Sequence, residues 1–191
     1  MNDNTKRAIR RMTLTAILLA LLIAGQLLFG LIGAPLSQYF VGSWVNLILA
    51  LTTLVIGWPY ALTISLISPF VALLVGVAPP FLEFMPFIAL SNAIFILLLY
   101  FLSKLNFGAK NELLPSMFAI VGASAAKVAF LYLTIVVLIM PTLPIGNAQV
   151  TVLSAVFSLN QIPTALIGAS LAFIVAIPVR TAMKYRTGGL V

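Results

Sequence analysis

The sequence contains no cysteine, no histidine and only three acidic residues, Asp3, Glu83 and Glu112. Without cysteine there are no disulfides and no thiolate to act as nucleophile or metal ligand, and without histidine the commonest metal ligand and acid–base group is missing as well. No His-Glu-x-x-His motif is present, no glycine-rich phosphate loop lies between a strand and a helix, and no two carboxylates share an apolar stretch. No nucleophile stands beside a base. The expectation is therefore a protein that is not an enzyme, with no catalytic residue, no metal site and no cofactor held by this chain.

What is present is apolar. Hydrophobic residues make up 63% of the 191 positions, charged residues 7%, and the mean hydropathy is +1.23, which places the chain among membrane proteins. One domain over 1–191 is expected. The net charge of +7 is no nucleic-acid signature, because the basic residues are few and lie in the tails and one loop. The first apolar run is long and lacks a small-residue cleavage pattern, so no cleaved signal is expected.

Hydropathy and turn residues divide the chain into six spans, at about 13–31, 45–56, 60–77, 87–102, 115–140 and 150–177. The second is short for a full crossing. Lys6, Arg7, Arg10 and Arg11 precede the first span, Lys104 and Lys110 follow the fourth, and Arg180, Lys184 and Arg186 follow the last. This bias predicts that both termini are cytoplasmic, in an all-α integral membrane protein of six transmembrane helices. The connections 32–44, 77–86 and 140–149 are then external. Pro69 is expected to bend the third span, and Pro163 to kink or unwind the last.

Nine of the ten basic residues fall in cytoplasmic segments, and the tenth, Lys127, lies almost at the centre of the fifth span. An ammonium at mid-membrane costs at least a few kcal/mol unless it meets a cavity, a polar partner or a ligand. Ser124 is one turn before it and Thr134 two turns after, giving a polar seam. Measured from the external ends, Gln26, Asn46, Ser68, Asn92, Thr134, Asn160 and Gln161 all fall in the outer half. Lys127 is expected to form the floor of a pocket open to the outside. Its expected companions are Asn92, Asn160 and Gln161, with Ser68, Gln26 and Tyr132 on the walls and Glu83 on the rim. Phe84, Phe87 and Phe157 are further candidates for aromatic wall. A positive floor favours a carboxylate or phosphate. The spans show no inverted repeat of the kind found in many carriers. A binder without its own energy-coupling device depends on a partner or conducts passively.

In the first span Ala16, Ala20 and Ala24 form a smooth ridge suited to close helix contact, within the chain or with another subunit. This ridge, the six-span layout, and the segments GWPYALTISLISPFVALLVG (57–76), PFIALSNAIFILLLYFL (86–102) and LNQIPTALIGASLAF (159–173) resemble the substrate-binding S component of energy-coupling factor transporters. The resemblance implies the six-helix fold of the riboflavin-transporter-like S components, in a multi-pass protein of a bacterial cell membrane. It implies high-affinity binding of a small vitamin or vitamin precursor from outside. Its partners would be a transmembrane coupling subunit and two cytoplasmic ATPases, which consume the ATP. It also implies that Ala16, Ala20 and Ala24 contact the coupling subunit and that the three external connections cover or line the site. Lysine among amides and hydroxyls suits pantothenate best. Hydroxymethylpyrimidine, pyridoxine and riboflavin are alternatives, as is a stand-alone membrane facilitator.

Overall fold

The computed structural model describes residues 2–33, 36–105 and 113–186, the side chains of 113 and 183–186 excepted. Lys110 lies outside the described residues, and so do the side chains of Lys184 and Arg186. No strand occurs among the described residues. The helices are α1 (Asp3–Gly30), α2 (Leu36–Val55), α3 (Trp58–Leu74), α4 (Met85–Leu102), α5 (Leu113–Leu131), α6 (Asn147–Val156) and α7 (Gln161–Arg186). A π-helical segment, Tyr132–Ile139, continues α5, and short 3-10 turns occupy Leu82–Phe84 and Met140–Thr142. Five helical stretches are long and apolar enough to cross a membrane. The sixth, α3, has 17 residues and so reaches only roughly 25 Å of the ~30 Å hydrocarbon thickness.

Two expected boundaries are corrected. The second span begins at Leu36, not near residue 45, so most of the connection 32–44 is helix. Its glycine and tryptophan mark packing and not a loop. Gly42 lies against Thr164, where an added Cβ would stand 3.1 Å from the Thr164 Cβ. The Trp44 Nε1–H donates to the Leu21 carbonyl at 3.1 Å. Gly25 makes room for that indole: a Cβ there would fall 2.0 Å from Trp44 Nε1.

The last span is also not one helix. It breaks over 157–160, between α6 and α7, and Pro163 sits in the first turn of α7. There its missing N–H costs nothing, because first-turn amides have no intrahelical partner. Pro69, by contrast, lies inside α3 and is buried, so the Ser65 carbonyl has no N–H donor from the following turn.

Two apolar clusters result. The larger joins Leu22, Ile48, Leu49, Ile64, Phe95, Ile96 and Leu99 with Ala119, Ala123, Ala165, Ala169, Ala172 and Ala176. The smaller joins Phe84, Met85, Leu131, Ile135, Met140, Leu153 and Phe157. Within the first, α2 and α7 approach backbone to backbone: a Cβ on Gly168 would stand 2.5 Å from the Ser43 carbonyl oxygen and 2.7 Å from the Leu47 amide nitrogen. The α7 alanines recur every three or four residues and are all buried, so the small-residue ridge that packs inside this chain is on α7. Those of α1, Ala16, Ala20 and Ala24, are exposed. At the basic end, Arg180 donates to the Leu54 carbonyl through Nε at 3.0 Å and Nη2 at 2.5 Å. A cation there satisfies one of the orphan carbonyls closing α2 and favours the negative end of its dipole.

Candidate functional site

The antiparallel run of helices brings the end of α1, the first half of α2, the end of α3, the first half of α4, the second half of α5 and the start of α7 to the end away from Arg180. Between them is a cavity of about 150 Å³, the scale of a small organic ligand. Gln26, Asn46, Ser68, Asn92 and Lys127 line it together with Gln161. Its apolar wall comes from Val41, Val45, Pro69, Ala72, Ile88, Leu131, Val156 and Phe157, and Ser37, Gln38, Val77, Ala78 and Pro79 complete the lining. Gln38 is exposed and Ser37 and Val77 to Pro79 are half-buried, which puts solvent at that side.

Lys127 is buried at 4% exposure. Its Nζ donates to Asn46 Oδ1 at 2.6 Å and to Asn92 Oδ1 at 2.7 Å, and lies 5.4 Å from the centre of the Phe95 ring. Three helices therefore converge on one ammonium. Two amide oxygens and a ring face offset part of the desolvation of the charge, and among the described residues no carboxylate pairs with it. An ammonium has three N–H groups, and two of them are used within the chain.

Other polar groups divide into those satisfied locally and those left open. Thr52, Thr53, Ser65, Ser91 and Thr134 bond back to carbonyls of their own helices at 2.7–2.9 Å, the usual way a hydroxyl is accommodated in an apolar helix. Thr134 therefore adds nothing to the polar seam. Gln26 Oε1, Asn46 Nδ2, Ser68 Oγ and Ser124 Oγ have no protein partner although buried. The first three belong to residues of the cavity lining.

Of the residues expected at the site, the cavity brings together Lys127, Asn92, Gln161, Ser68 and Gln26, and leaves out three. Glu83 is exposed in the Leu82–Phe84 turn, where the fully buried neighbour Phe84 takes the inward position. Asn160 is exposed in the break between α6 and α7, while Gln161 turns back and donates through Nε2 to the Val156 carbonyl at 2.9 Å. Tyr132 is 45% exposed, because one residue beyond the cavity-lining Leu131 rotates a side chain about 100° around the helix. Of the aromatic candidates only Phe157 lines the cavity. Phe84 backs it edge-on, with ring centres 5.5 Å apart, and Phe87 packs on the smaller cluster.

Asn46 is the principal residue that reasoning from sequence left off the site, together with Ser37 and Gln38. With the second span taken to begin at residue 45, Asn46 stands at a helix end. In the 20-residue α2 it is the eleventh position, level with the ammonium. Comparison with family models, with curated proteins and with solved structures finds no match for this chain.

Proposed function

We propose that this protein is the high-affinity substrate-binding subunit of an ATP-driven importer of the energy-coupling factor type, taking up a small anionic vitamin, with pantothenate the leading candidate. The observation that carries the reading is the buried Lys127 ammonium, held by two amide oxygens at the cavity with one N–H remaining for an acceptor. A ligand carboxylate would complete its coordination with a charge-assisted bond. The cavity lies at the end opposite the basic residues, which the positive-inside bias puts on the outer face of a bacterial cell membrane. Binding is then the chain's own contribution, and the energy comes from partner ATPases acting through a transmembrane coupling subunit.

The direct test is a screen of the purified protein against B-vitamins and their precursors, reading bound ligand by native mass spectrometry and thermal shift. Pantothenate is expected to bind and to raise the unfolding temperature. Preference for a cationic or uncharged compound would overturn the anionic assignment. Uptake by the protein alone in ATP-free vesicles would instead make it a facilitator.

A second expectation concerns the partner. Ala16, Ala20 and Ala24 are exposed on α1, which supports an outward contact and not a packing role within the chain. Ala20→Leu should prevent close approach of a coupling-subunit helix, lowering complex recovery in a pull-down and abolishing transport, while the isolated protein binds its vitamin normally. Undiminished recovery of the complex would remove the ridge from the interface.

A further inference from the structure

The open hydrogen-bonding groups around the cavity differ in kind, and the difference constrains the ligand. Lys127 has an N–H to give beyond those taken by Asn46 and Asn92. Asn46 Nδ2, Gln26 Oε1 and Ser68 Oγ have no protein partner, and their residues are 1%, 3% and 1% exposed. The lysine and Asn46 Nδ2 can only donate, Gln26 Oε1 can only accept, and a serine hydroxyl does both. A carboxylate accepts and nothing more. It can serve the two donors, and it leaves Gln26 Oε1 without a partner.

We infer that the ligand is a hydroxy acid and that Gln26 is the residue that selects for its hydroxyl. The carboxylate receives hydrogen bonds from Lys127 Nζ and Asn46 Nδ2, and the hydroxyl donates to Gln26 Oε1 while accepting from the Ser68 hydroxyl. A hydroxyl fits this pair because it donates and accepts at one atom. The contrast within α3 sharpens the point. Ser65 satisfies itself on the Leu62 carbonyl at 2.9 Å, whereas Ser68, one turn on and on the cavity wall, does not. A ligand that fills the space displaces the water that would otherwise solvate these atoms and must supply the partners itself, so an acid without a hydroxyl leaves a buried acceptor unpaired. This inference rests on the anion-binding reading above and adds the second half of the ligand to it.

The test is calorimetric titration of two acids into the purified protein and its Gln26→Leu variant. One acid is pantothenate. The other is N-(3,3-dimethylbutanoyl)-β-alanine, the same acid with both hydroxyls replaced by hydrogen. The unaltered protein is expected to prefer pantothenate by ~10- to 100-fold. In Gln26→Leu the preference should collapse to within a few-fold, through weaker pantothenate binding and unchanged or better binding of the deoxy acid. Ser68→Ala, which removes one methylene-sized hydroxyl, should reduce the preference in part, and it carries the comparison if Gln26→Leu does not fold. Equal binding of both acids by the unaltered protein, or a preference that survives in the variants, would overturn the role of Gln26 and leave anion binding intact. Failure of both acids to bind the unaltered protein would overturn the inference together with the pantothenate reading.

Discussion

Lys127→Ala is expected to weaken binding of an anionic vitamin by ~30- to 150-fold, equivalent to roughly 2–3 kcal/mol, as measured by titration of the purified protein. The loss has two sources. The carboxylate loses a charge-assisted donor, and Asn46 Oδ1 and Asn92 Oδ1, which accept from Nζ at 2.6 and 2.7 Å, are left facing the ligand without a donor. Two acceptors beside a carboxylate repel it. Lys127→Met, which keeps the apolar stem while removing the charge, should show the same loss with less disturbance of packing. Lys127→Arg should not rescue, because a planar fork cannot occupy the place of a compact ammonium between two fixed amides. Unchanged affinity in a folded Lys127→Met protein would remove the lysine from the ligand.

Gly168→Ala is expected to have the largest effect on stability of any single-methyl addition, ~1–3 kcal/mol, seen as a fall of several degrees in unfolding temperature. The new Cβ would stand 2.5 Å from the Ser43 oxygen, 2.6 Å from Asn46 Cβ and 2.7 Å from the Leu47 nitrogen. Backbone atoms cannot rotate away, so α2 has to move as a helix. Because Asn46 rides on that part of α2, the displacement also strains its bond to Lys127, and ligand affinity should fall along with stability. A variant with the unfolding temperature and affinity of the unaltered protein would mean that the α2–α7 contact is looser than its geometry.

How far the site is legible in the sequence follows from what each polar residue costs in an apolar helix. Lys127, Asn92, Gln26 and Ser68 stand out because such groups are expensive unless they share a cavity or a partner, and all four line one cavity. Depth along a helix is readable by counting residues, but the face a residue presents is not. Hence Thr134, at a suitable depth, bonds to its own helix, and Tyr132 is turned away from the cavity. Asn46 was obscured by a boundary. Gly42 and Trp44 read as connection residues when taken singly, yet each is explained by a contact 122 or 23 positions distant, with Thr164 and Leu21. The α1 ridge raised a related ambiguity. A row of small residues announces close approach without saying to what, and only the burial of the α7 row and the exposure of the α1 row separate internal packing from an outward face.

The π-helical stretch that follows α5 gives this architecture a separate evolutionary handle on its two ends. A π turn accommodates more residues than an α turn, so deleting one residue within Tyr132–Ile139 would restore an α-helix and swing everything beyond it by about 100°. Lys127 precedes the stretch and would keep its place between Asn46 and Asn92. Met140 and Leu153, which follow it and belong to the smaller apolar cluster, would be re-aimed. Length variation there can reshape the outer cover of the cavity for ligands of different size while the ammonium that holds their common acidic group is inherited unchanged.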